Sequence, residues 1–161
     1  MSLDMFMFKC DIKTYCSGDL DKKGLIKLCQ KALDAGQNNC EDDNKLVFLE
    51  YWNGANQMYR WFLRHTDVER EHPGPYSIKR EELYALKATC KDVLEFGRFE
   101  DGVEVLSVCK KLLPVLAGPC FGSIVYDEYY FCEVQLMYDF LCELLETTNW
   151  DEEVILLYAE W

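Results

Sequence analysis

The chain has 161 residues, half of them apolar and 14% aromatic, which predicts a single globular domain over 1–161 and excludes global disorder. Twenty-nine acidic residues against 17 basic give a net charge of −12, a field that repels phosphate backbones and disfavours nucleic acid as a partner. The longest apolar runs, IVY at 124–126 and VILLY at 154–158, fall far short of the ~20 residues of a membrane span, so no membrane partner is expected.

In chain order, LDMFMFKCDI carries apolar groups on both faces and predicts a buried strand. The start has no basic n-region and no small-residue cleavage site, so no signal peptide and a cytoplasmic location are expected. Asp21 caps a predicted helix in which Leu25, Leu28, Cys29, Ala32 and Leu33 share one face, with Gly36 at its stop. QNNCEDDN (37–44) reads as a polar loop. The stretch LVFLEYWNGANQMYRWF (46–62) changes period. Alternation up to Tyr51 suits a strand. From about Trp52 the spacing is helical, with Trp52, Ala55, Tyr59, Phe62 and Leu63 on one side and Asn53, Gln57, Arg60 and Arg64 on the other. Gly54 either permits a close approach or marks the strand-to-helix turn.

HTDVEREHPGPYS (65–77) predicts a loop, followed by a helix over 79–96 that buries Leu83, Leu86, Cys90, Val93 and Leu94. Asp101 caps a shorter helix with a Val105, Leu106, Cys109, Leu112, Leu113 stripe, stopped by Pro114. After the Gly/Pro loop AGPCFGS, a helix from about Asp127 to Glu146 carries Tyr130, Val134, Met137, Leu141 and Leu144 on one stripe. VILLYAEW is a β-branched and aromatic run, suited to a C-terminal strand that pairs with the N-terminal one. The predicted fold class is α+β and predominantly helical. Four or five helices pack on a small sheet formed by the N- and C-terminal strands, with residues 46–51 as a candidate third strand.

Nine cysteines occur without a CxxC pair, and His65 and His72 stand apart from them, so no metal site and no cofactor is predicted. Several of the cysteines lie on apolar stripes and read as reduced core residues. Nucleophilic catalysis needs a Cys or Ser beside a His; no Cys stands in a glycine elbow and neither His falls in a motif, so no catalytic residue is assigned. Cys120, in the Gly/Pro loop, is the thiol to test for reactivity.

The segments MSLDMFMFK, YWNGANQMYRWF, AGPCFGSIVYDEYYF and the terminal YAEW, in that order, resemble an uncharacterised family of phage and prophage proteins. Members typically begin Met-Gly-Leu-Asp-Met-Tyr, carry Tyr-Trp-Arg-Lys-Ala-Asn-x-Ile-His-x-Trp-Phe in the middle, and later read Ser-Gly-Phe-Phe-Phe-Gly-Ser-Thr-x-Tyr-Asp-Glu-Tyr-Tyr. The resemblance implies a phage-linked protein of a bacterial host's cytoplasm, with no assigned reaction. This chain departs from the pattern at Asn53-Gly54, where the family has Arg-Lys, and at Tyr59, where it has His. An activity that used those groups in relatives is lost or relocated here.

Two clusters are the candidate binding or structural-motif residues. At helical spacings of four and three, Trp52, Asn56 and Tyr59 stack one amide between two aromatic rings, as a recognition pocket or as structural glue, and Trp61 is a further candidate. Gly122 and Ser123, with Gly118, precede a helix and suggest an anion cradle, but Asp127 and Glu128 in its first turn repel a phosphate, so capping is the better account. Asp127 and Glu128 beside Tyr126, Tyr129 and Tyr130 suggest acid–base work. Adjacent helical carboxylates point about 100° apart, and a carboxylate–tyrosine hydrogen bond tying this loop to helix 52–64 is expected instead. The expected function is a non-catalytic accessory factor that binds a protein partner or self-associates. The alternative is a small-ligand binder or enzyme with a pocket between helix 52–64 and loop 118–130.

Overall fold

The computed structural model describes residues 2–17, 22–34, 46–97 and 103–161. Expectations for Asp21, Gly36, the 37–44 loop, Cys40 and the Asp101 cap lie outside these residues, as do those for the Val105 and Leu106 side chains.

The two ends of the chain form the centre of the sheet. Strand β1 (Asp4–Asp11) pairs antiparallel with β4 (Glu153–Glu160), in register from Asp4 opposite Glu160 to Asp11 opposite Glu153. Strand β2 (Leu46–Asn53) flanks β1, and a three-residue β3 (Tyr76–Ile78) flanks β4, giving the order β2-β1-β4-β3. Strand period 2 sends alternate side chains to opposite faces. Met5, Met7, Trp52, Ile155, Leu157 and Ala159 belong to one core cluster, whereas Phe8, Cys10, Leu46, Leu156 and Tyr158 belong to the other. The apolar-on-both-faces reading of the first strand therefore holds.

Among the described residues six helices cover the two faces. The smaller cluster takes Leu25 and Cys29 from α2 (Lys22–Asp34). The larger one is filled by α3 (Asn56–His65), α4 (Arg80–Phe96), α5 (Val103–Leu112) and α6 (Glu128–Thr147). Leu83, Leu86, Cys90 and Val93 of α4 and Val134, Met137, Leu141 and Leu144 of α6 lie on the stripes that the helical periodicity picks out and are buried, whereas Leu94, expected with them, sits at the margin of the stripe and is half-buried. Complete burial of one such Leu or Met stabilises the fold by about 1.5–3 kcal/mol. The fold is α+β, as expected.

Three boundaries differ from the sequence reading. Helix α1 (Ile12–Cys16), a single short turn, was not foreseen; the Asp11 carboxylate caps it by accepting from the N–H groups of Lys13 and Thr14. The predicted loop 65–77 gives its last two residues to β3, whose pairing with β4 carries no periodic signal in three residues. The helix expected from Trp52 begins at Asn56, because pairing with β1 keeps the chain extended through Asn53, with Trp52 opposite Met5. Gly54 then turns it, with φ +72°.

Candidate functional site

The two motif clusters meet at the start of α3. Gly54 lies in the left-handed region, which glycine enters without a Cβ clash, and Gly122 does the same at φ +88°. Their backbones cross in contact: a Cβ on Gly122 would lie 2.7 Å from the Gly54 carbonyl oxygen and 3.2 Å from its Cα. The Leu3 peptide joins both segments, its N–H donating to the Cys120 carbonyl and its carbonyl accepting from Gly54 N–H, each at 2.7 Å.

Asn56 is 1% exposed and occupies the centre of the crossing. Its Nδ2 donates to the carbonyls of Phe121 and Ser123, both at 2.8 Å, with a longer contact of 3.4 Å to Gly54. Its Oδ1 accepts from Leu116 N–H at 2.7 Å. The partners fix the amide orientation, because carbonyls face the donor side and an N–H faces the acceptor. One side chain thus satisfies the backbone of two stretches of the 113–126 segment, which has no regular ladder of its own. Neighbouring side chains extend the work. Arg60 Nη1 donates to the Val115 carbonyl, Tyr126 Oη accepts from Val115 N–H at 3.3 Å, and Tyr130 Oη donates to the Leu113 carbonyl at 2.8 Å.

The aromatic residues separate. Tyr59 packs on Phe121 (ring centroids 6.1 Å) and Trp161 (5.3 Å). Trp52, on β2, stands edge-on to Phe140 of α6 at 5.1 Å, so the expected stacking of Asn56 between Trp52 and Tyr59 is replaced by a strand–helix contact. Trp61 is buried, with its ring 5.6 Å from that of Phe62. Burial pushes the Tyr59 hydroxyl well above its ordinary value, and it has no hydrogen-bond partner among the described residues.

Asp127 is the N-cap of α6: its Oδ1 accepts from Tyr130 N–H at 3.1 Å, while Glu128 is exposed in the first turn. Ser123 Oγ accepts from Val125 N–H at 3.2 Å, a local loop bond. The carboxylate that reaches α3 is instead Glu133, whose Oε2 accepts from Gln57 Nε2 at 2.6 Å. Burial raises the Glu133 carboxyl above its ordinary value; the Gln57 bond opposes this, the Asp127 charge adds to it, and a Tyr129 bond opposes it. Sequence reasoning missed Glu133, Gln57 and Arg60. A signal existed for the first: Glu133 lies three after Tyr130 and four before Met137, on the buried side of an amphipathic helix.

The Asn56 amide is consumed by backbone, and among the described residues no group of three or more His, Cys, Asp or Glu side chains converges as a metal site. Burial raises the thiols of Cys10, to about 11, and Cys29, to about 12, and also those of Cys90 and Cys109, which keeps them protonated at neutral pH. Cys120 is exposed.

No family model, curated protein or solved structure matches this chain. Its functional reading therefore rests on the residues themselves. Beside the junction, exposed Ser123, Asp127 and Glu128 alternate with large apolar side chains. Ile124 and Val125 are 55% and 57% exposed, and Tyr129 and Leu136, two turns apart on α6, are 62% and 63% exposed. No described helix is long and apolar enough to cross a membrane.

Proposed function

We propose that this protein is a phage- or prophage-derived, intracellular, non-catalytic accessory factor that binds another protein through the surface formed by Ile124, Val125, Tyr129 and Leu136. The observation that carries the reading is the contrast within one segment. Asn56 locks the backbone of Phe121 and Ser123, while the residues that follow hold large apolar side chains in solvent. A rigid loop loses little entropy on binding, so fixing it from inside raises the affinity its exposed side chains can reach. Exposed Asp127, Glu128 and Asp139 border these residues, and the chain carries −12 overall, so the partner that fits offers apolar side chains flanked by Lys or Arg. The same charge opposes self-association. The resemblance in the opening, middle and late motifs supports the phage setting.

The alternative, a ligand pocket between the α3 region and loop 118–130, loses its recognition amide, because every polar atom of Asn56 already has a backbone partner. The test is capture from host lysate with the wild-type chain and with Tyr129→Glu/Leu136→Glu. A partner retained by the first and lost by the second, with the melting temperature unchanged, supports the proposal. Equal capture by both, or no partner in capture and in size-exclusion of the mixture, overturns it.

A further inference from the structure

Glu133 lies inside the surface assigned to partner binding. An α-helix turns once in about 3.6 residues, so Tyr129, Glu133 and Leu136, at i, i+4 and i+7 of α6, share one face, with the carboxylate between the two exposed apolar side chains. A partner that covers Tyr129 and Leu136 therefore covers Glu133. We propose that Glu133 is the specificity-determining residue of this surface, and that it selects a partner carrying a Lys or Arg within its apolar contact, seated on the carboxylate. This role rests on the docking surface proposed above. It concerns the centre of that surface, whereas Asp127, Glu128 and Asp139 act from its border.

The carboxylate is fixed from beneath. Gln57, 2% exposed, donates its Nε2 to Glu133 Oε2 at 2.6 Å, so a Glu133 side chain that swung into solvent would leave a buried amide unpartnered. Its charge meets no cation. None of the ion pairs among the described residues includes Glu133, and Arg60, one turn further along α3 from Gln57, donates instead to the Val115 carbonyl. The bonds Glu133 does receive, from Gln57 and the Tyr129 hydroxyl, come from neutral groups, and the charge of Asp127 repels it. Burial leads these effects, and the carboxyl stays above its ordinary value despite both bonds.

A docked partner completes the burial that the fold begins. Under an apolar group the carboxylate loses its remaining water with nothing in return, and under an anion it is repelled. A Lys or Arg supplies a charge-assisted hydrogen bond where water has left. Such a pair discriminates between partners more than it adds affinity, because a partner without the cation leaves a charge unpaired. The chain's charge of −12 draws basic partners towards it, and the central carboxylate fixes the register in which they dock.

The test pans a phage-displayed random peptide library on the whole chain at neutral pH, with Tyr129→Glu/Leu136→Glu as the counter-selection. The enriched peptides are then titrated calorimetrically. Peptides with a Lys or Arg among apolar residues are expected, and affinity should fall about tenfold or more when Glu133→Gln replaces the wild-type chain or norleucine replaces the cation. Glu146→Gln, the same charge change at the far end of α6, should move affinity by less than about twofold. Melting temperatures verify that each variant folds. A carboxylate that pairs with the peptide's cation adds a pH signature that a purely structural Glu133 would not. Affinity for wild type should drop as acidification protonates the raised carboxyl, while affinity for Glu133→Gln stays flatter over the same range. Peptides that depend on Tyr129 and Leu136 yet bind Glu133→Gln as tightly, lose as much in Glu146→Gln, or carry no cation overturn this role and leave the docking surface standing. No enrichment over the counter-selection overturns the surface, and this role with it.

Discussion

The Asn56 junction and the cavity beside Trp161, where β1 begins and β4 ends, share one cluster of rings, Tyr59, Phe121 and Trp161, yet one centres on a neutral amide and the other is lined by acidic residues. At the junction every polar atom of the central side chain faces a protein partner, and two glycines let the backbones touch. At the cavity Asp4 and Glu160 are cross-strand partners, and the Asp4 carboxylate accepts from Tyr51, Asn53 and Ser2, bonds that keep it below the usual carboxylate range. Folding alone accounts for the polar contacts of both. Conspicuous motif residues are therefore not by themselves a binding site; what distinguishes the two regions is burial, since the Asn56 amide is sealed among backbone groups whereas Glu71 and Glu160 are exposed.

Several changes would break or sharpen this contrast. The largest effect is expected for Asn56→Ala, which leaves the part-buried Leu116 N–H and the buried Phe121 carbonyl without their partner and should cost about 2–4 kcal/mol in urea unfolding. A loss under about 0.5 kcal/mol would show that the junction does not hold the fold together. Next come the glycines. Gly122→Ala places a Cβ 2.7 Å from the Gly54 carbonyl on top of an unfavourable φ, and should cost about 2–3 kcal/mol. Gly54→Ala meets only ordinary contact at 3.7 Å and should cost about 1 kcal/mol, from the backbone conformation alone. The reverse order in chemical unfolding would refute the crossing.

At the cavity, Glu160→Gln should change stability by under about 0.5 kcal/mol, because Asp4, its cross-strand partner, already accepts from Tyr51, Asn53 and Ser2; a gain of about 1 kcal/mol would show an unrelieved like-charge pair. Glu133→Gln concerns pH. The folded-state carboxyl lies above its unfolded value of 4.5, so the native state binds more protons, and wild-type stability falls as pH rises from that value through the raised one. The variant lacks this loss, so its melting temperature should gain on wild type across that window and then stay level. The smallest effect is expected at the surface: Leu136→Lys should change stability by under about 0.5 kcal/mol while abolishing partner capture.

Much of the fold was legible because periodicity survives in a linear chain. The stripes of α4 and α6 and the pairing of the terminal strands follow from residues whose apolar spacing has one physical solution. Asp127 as a cap was legible for the same local reason. Helix α1 and strand β3 were not, being too short to carry a period. The end of β2 was not either, because extended and helical spacing overlap at Trp52 and only the ladder with β1 decides between them.

By itself, then, the sequence determined an acidic, two-faced α+β fold and the glycines and asparagine that its crossing would need, since composition, period and backbone freedom are local properties. Tertiary structure alone decided that Asn56 is spent on backbone, that Glu133 reaches Gln57, and that Asp4 faces Glu160 beside Trp161. Those pairings join residues 65, 76 and 156 positions apart, counted as 121 − 56, 133 − 57 and 160 − 4. Hydrogen bonds and charges act over a few ångströms of space, and no spacing along the chain records which distant groups folding brings that close.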